Sequence, residues 1–223
     1  MRPVNKGKAP QKVYKKYQDA ESDLESRLGA YCSFCEMSIN HVPEVEHREA
    51  KSTGGELLEW NNLLLSCKYC NTRKGVNVKR DDKDKYLWPD IDDTFHAYSY
   101  DKDIPQLNET YLNSRGTAEK EKAENLFHLI KLDNIPISPK DKDRRYSSRN
   151  ETRNCALESK IGLSKMEGIT ERKAYLNALK NLALAKGFFS VWMEVFKDDE
   201  EVKQLLISSF KGTKEEYCKE LTY

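Results

Sequence analysis

The sequence predicts an α+β protein, with a small strand-and-helix core stapled by cysteines and a mainly α-helical C-terminal region. Three observations predict it. Cys32-x-x-Cys35 and Cys67-x-x-Cys70 bracket a segment of small-domain texture. Within that segment Glu44-Val45-Glu46-His47 alternates like a strand and runs toward the turn Ser52-Thr53-Gly54-Gly55. From about Thr117 the apolar residues recur at helical spacing. At 223 residues and 38% hydrophobic content the chain can bury a real core. Charged residues make up 34% but leave a net charge of only +1, so any affinity for nucleic acid must be local. There is no run of about 18 apolar residues and no apolar segment behind a basic start. The expectation is a cytoplasmic protein without a membrane span.

Four regions follow in order. Residues 1–30 read as a basic N-terminal arm and a short helix. Arg2, Lys6, Lys8, Lys12, Lys15 and Lys16 precede the first acid, Asp19, and the helix runs from there to Gly29. Both a solvated terminus and a phosphate-contacting arm fit that charge run. Residues 31–80 hold the cysteine pairs. Residues 81–115 read as an extended wrap or linker, with Phe95, Tyr98 and Tyr100 suited to a short hairpin. Residues 116–223 are helical: Ala123, Phe127 and Ile130 share one face, Tyr175, Leu176, Leu179 and Leu182 recur at helical spacing on a later helix, and a last helix runs through Val202, Leu205, Leu206 and Phe210. The apolar block around Trp192 suits a core or a subunit contact. Arg144, Arg145, Arg149 and Arg153 fit either a phosphate- or partner-binding helix face or a solvated one.

The two Cys-x-x-Cys pairs form knuckles able to close one tetrahedral thiolate site. In a reducing compartment that pattern is a metal site and not a disulfide framework. Four thiolates from Cys32, Cys35, Cys67 and Cys70 leave no open coordination position, so the expected zinc is structural. Cys155 and Cys218 are left over and read as buried thiols. His47 is not needed by a site that four cysteines already satisfy. A strand, loop, strand and helix pinned by zinc would bring Glu46, His47 and Asn71 together. A neutral imidazole suits a general base near pH 7, while a carboxylate and an amide oxygen are hard ligands suited to magnesium or manganese. Asn62 is placed to hold the loop or the imidazole. Arg73, Lys74, Lys79 and Arg80 lie where a phosphate backbone would pass, although short basic clusters are common on surfaces. His41, His96 and His128 read as loop, surface or satisfied core residues, with His96 close enough in sequence to Asp92 and Asp93 to approach the site.

Cys32-Ser-Phe-Cys35, Glu46-His47, Trp60-Asn61-Asn62-Leu63 and Cys67-Lys-Tyr-Cys70-Asn71-Thr-Arg-Lys74-Gly75 resemble the zinc-stapled branch of the HNH endonuclease superfamily. That resemblance implies a ββα-metal core, His47 as general base, Glu46 and Asn71 as ligands of the catalytic cation, and Asn62 as the middle signature residue. Asn71 stands where many relatives have His. A wider resemblance links MRPVNKG, WPDIDDTF, GFFSVWMEVF and LISSFKGT to the HNH subunit of Septu-type antiphage systems, a family also found beside retrons. It implies an ABC-type ATPase partner docked on the helical region, the aromatic block around Trp192 included, and in retron versions a reverse transcriptase with its single-stranded DNA. The expected function is therefore a metal-dependent endonuclease, DNA favoured, acting as a defence effector. The alternatives are a retron-associated effector that cleaves transfer RNA, and a zinc-stapled binding or assembly subunit without catalysis.

Overall fold

The computed structural model describes residues 1–219; the last four positions of the region expected at 116–223 lie outside the described residues. Helix α1 (Glu21–Leu28) ends at Gly29, whose φ of 72° and backbone N–H bonded to Glu25 O give a left-handed stop. Strand β1 (Glu44–His47) pairs antiparallel with β2 (Leu63–Ser66), with Val45 opposite Leu65 and His47 opposite Leu63. Alternation puts Glu44 and Glu46 on one face of β1 and Val45 and His47 on the other. β2 is buried along its whole length because packing covers both of its faces. It leads through Cys67 into α2 (Lys68–Lys74), and the Cys67 thiol caps that helix by accepting from Cys70 N.

The segment expected as a wrap carries more structure than a linker. It contains α3 (Thr94–Ala97), a hairpin of β3 (Tyr98–Ser99) with β4 (Gln106–Leu107), and α4 (Glu109–Arg115). The helical region follows as α5 (Thr117–Leu129), α6 (Arg145–Leu163), α7 (Ile169–Lys186), α8 (Phe189–Val195) and α9 (Glu200–Ser209). α9 starts at an N-cap, Asp199, which accepts from Val202 N. One apolar cluster gathers Leu24, Phe34, Leu64, Trp88, Leu112 and Leu126, so it draws on all four sequence regions. A second packs Trp192, Phe196, Leu206 and Phe210 with Leu163 and Ala183, which makes the aromatic block a core. No helix among the described residues is long and apolar enough to cross a membrane.

The N-terminus differs from the expected arm. Arg2 is buried and donates to Lys211 O and Leu28 O at 2.7 and 2.8 Å. Lys6 is buried, donates to Leu63 O at 2.8 Å and pairs with Asp90 at 2.8 Å. Two of the six basic residues are thus spent inside the fold, because their partners lie far away in sequence; only Lys8, Lys12, Lys15 and Lys16 remain exposed. The Lys6–Asp90 pair and a Val4 N to Pro89 O bond join the MRPVNKG and WPDIDDTF segments directly under β2.

Candidate active site and cysteine cluster

The four sulfurs of Cys32, Cys35, Cys67 and Cys70 lie within 4.8 Å of one another, all on buried residues. Cys35 Sγ and Cys67 Sγ are 3.6 Å apart. A disulfide needs about 2.05 Å, whereas a tetrahedral zinc with bonds of about 2.3 Å sets its sulfurs about 3.8 Å apart. The donor set and the spacing therefore fit zinc. Each pair forms the same knuckle: Cys35 N donates to Cys32 Sγ at 3.5 Å and Cys70 N to Cys67 Sγ at 3.4 Å. Ser33 N bonds Leu65 O at 2.9 Å, which ties the first knuckle to the middle of β2.

His47 ends β1 and is 5% exposed. Its Nε2 lies 3.0 Å from Leu57 O. A carbonyl can only accept, so Nε2 carries the proton and the neutral ring keeps its lone pair on Nδ1. Among the described residues Nδ1 has no hydrogen-bond partner. Burial holds the imidazole below its ordinary value, and the nearby Lys51 and Lys74 charges act in the same direction. Tyr17 packs on the ring with centroids 4.8 Å apart, and Lys51 lies over the Tyr17 ring at 4.1 Å.

Asn71 and Lys74, one helical turn apart on α2, meet Glu44 and Glu46, two apart on β1. Asn71 Nδ2 donates to Glu44 Oε2 at 2.6 Å, and Lys74 Nζ donates to Glu46 Oε1 at 2.7 Å. Strand and helix are thereby locked face to face by two side-chain contacts. The carboxamide keeps Oδ1 as an acceptor, and Glu46 keeps Oε2. Burial raises the Glu46 carboxyl above its ordinary value, and Lys74 opposes that rise.

Asn62 makes no hydrogen bond to the imidazole among the described residues. Its Oδ1 accepts from Glu49 N at 2.9 Å, and its Nδ2 donates to Glu49 O at 3.0 Å and Glu56 O at 2.8 Å. It clamps both arms of the 48–59 loop, which carries the Leu57 carbonyl. Gly55 permits this closure: a Cβ there would sit 2.1 Å from Glu49 O.

Residues 32–77 match the family model of the HNH endonuclease. The match starts at the first knuckle cysteine and ends just past α2, so it spans the cysteine cluster, the clamped loop and the Glu44, Glu46, His47 and Asn71 group. Comparison with curated proteins and with solved structures gives no match.

The basic residues around the HNH segment divide. Lys74 was expected to contact phosphate, but it is 0% exposed and its charge is committed to Glu46, so it cannot reach a backbone. Arg73 is half-buried and stands 3.8 Å from Asp141, Arg80 is exposed and stands 3.4 Å from Glu56, and Lys79 is exposed. Arg80 also borders the glycine turn, its Cβ 3.3 Å from the position a Cβ on Gly54 would take. His96 lies away from the site, between Asp93 Oδ2 at 2.8 Å and Lys219 O at 3.0 Å. His41 and His128 are exposed. Sequence reasoning missed Leu57, Tyr17, Lys51 and the role of Glu44. Strand alternation from Glu46 would have found Glu44; a backbone carbonyl leaves no trace in side-chain identity.

Proposed function

We propose that this protein is a metal-dependent HNH endonuclease that hydrolyses nucleic-acid phosphodiesters, with DNA the favoured substrate. The observation that carries the proposal is the His47 tautomer: Nε2 is held by Leu57 O while Nδ1 stays open, on a ring whose burial favours the neutral base. His47 Nδ1 takes the proton of the attacking water. Glu46 Oε2 and Asn71 Oδ1 are the oxygens that would hold a magnesium or manganese ion, and Glu44 steadies the Asn71 amide. When bound, the ion polarises the phosphodiester and neutralises the leaving oxygen. Lys74 keeps the Glu46 carboxylate charged and oriented, and Asn62 positions His47 through the loop. Lys79, Arg80 and Arg73 offer positive charge to the phosphates on either side. The zinc held by the four cysteines is structural and carries no step.

The protein is the effector subunit of an antiphage complex with an ABC-type ATPase, as the Septu-like segments imply. Leu157 and Ile161, one turn apart on α6, and Ile169 at the start of α7 are exposed, which supports docking of the ATPase on this end of the helical region. The test is co-expression with the neighbouring ATPase, followed by incubation of the purified complex with plasmid DNA and with total transfer RNA. Loss of plasmid supports the DNA reading; loss of transfer RNA alone replaces it with the retron-type reading. Failure of the ATPase to co-purify removes the partner assignment.

A further inference from the structure

Two arginines of α6 are buried beside the cysteine cluster, where a surface helix face was one expectation. Arg145 is 1% exposed and Arg149 2%. Arg145 Nη1 donates to Cys70 Sγ at 3.4 Å and to Ile130 O at 2.8 Å, and its other nitrogens bind Asp143. Arg149, one turn further on, makes no ion pair among the described residues. Its Nη2 reaches only Leu132 O at 3.4 Å, and Nε and Nη1 have no hydrogen-bond partner there. Desolvation strongly disfavours a buried guanidinium without a counter-charge, so something nearby must compensate it. Its Cζ lies 5.8 Å from the centroid of the Phe188 ring, and the groups whose negative charge favours the buried guanidinium are Tyr100, then Cys35 and Glu36.

Zinc bound by four thiolates is a dianion in a buried site. We infer that Arg145 and Arg149 are the charge-compensating shell of this metal centre, so that α6, and with it the helical region, docks on the HNH segment only when the metal is in place. Arg145 shares its charge between Cys70 and Asp143; Arg149 has the metal centre as its counter-charge. The zinc then does more than staple a knuckle, because it keeps the four thiolates deprotonated, and their net negative charge holds a helix whose Arg145 lies 75 residues beyond Cys70. The inference concerns stability and does not depend on nuclease activity.

The test compares wild type, Arg149→Met and Arg149→Lys. Zinc is counted by mass spectrometry, its release to a chromogenic chelator is timed, and amide exchange is followed in residues 145–163. Partners outside the first ligand shell typically change metal affinity by about 10–100-fold. Arg149→Met should therefore release zinc at least about tenfold faster, while Arg149→Lys, which keeps the charge, stays near wild type. Chelation of the wild type should expose α6 amides before those of α9. The wild-type arm decides the matter if Arg149→Met does not fold. Equal release from all three proteins, α6 protection that survives chelation, or a folded protein without zinc would each overturn the inference.

Discussion

Asn62→Ala is the perturbation that most sharply separates a positioning role from direct participation. The change removes three hydrogen bonds, to Glu49 N, Glu49 O and Glu56 O. Glu56 is exposed, so water can take over its carbonyl at little cost. Glu49 is 8% exposed, and its two backbone groups are left unsatisfied at about 1–3 kcal/mol each. The sum is roughly 2–6 kcal/mol, which at about 2–4 °C per kcal/mol for a chain of this size lowers Tm by roughly 4–24 °C. The effect on the site runs through Leu57: once the loop slackens, the imidazole loses the acceptor that fixes its proton on Nε2, and the Nδ1–H tautomer becomes populated. Differential scanning calorimetry reads the first effect, and nitrogen NMR of the His47 ring reads the second without any substrate. A variant whose Tm and His47 ring shifts both match wild type would refute the clamp.

Three further outcomes follow from the same geometry. Cys67→Ser removes a thiolate from a site that fits zinc and also the cap of α2, and should lose zinc and soluble folded protein; a soluble, zinc-free variant with wild-type Tm would contradict a structural metal. Lys74→Met strands the buried Glu46 carboxylate and should cost about 3–5 kcal/mol, most of it recovered by adding Glu46→Gln, in a thermal double-mutant cycle; an additive cycle would contradict the pair. Because burial lowers the His47 value, the neutral base persists to the acid side of an ordinary imidazole. The acid limb of kcat/KM for the free enzyme should therefore have its midpoint below about 6.5, and a midpoint above neutrality would contradict the buried base.

What the sequence made legible was local. The two Cys-x-x-Cys pairs defined the four-cysteine cluster because ligand spacing is a short-range property, and the alternation in Glu44-Val45-Glu46-His47 gave the strand because side chains switch faces at every residue. The helical period at Ala123 and Phe127 fell on α5, with Ile130 as its C-cap, for the same reason. Long-range pairing stayed hidden. Lys6 looked like part of a solvated arm because Asp90 lies in another region, and Lys74 looked like a phosphate contact because Glu46 lies 28 residues earlier, on β1. Arg145 and Arg149 looked like a surface stripe because the groups they lie against, among them the Cys70 sulfur that Arg145 reaches, come from other parts of the chain. Charge patterns in sequence carry no information about burial, and burial decided each of these roles.

The most direct measurement is cleavage of plasmid DNA and total transfer RNA by wild type and His47→Ala, each purified alone and after co-expression with the proposed ATPase partner, with magnesium or manganese and again with EDTA. The account predicts metal-dependent cleavage by the wild type that His47→Ala abolishes while its fold and partner binding persist. Equal cleavage by the two proteins, or none by the wild type on either polymer, would contradict the assignment of His47 as the base of an HNH nuclease.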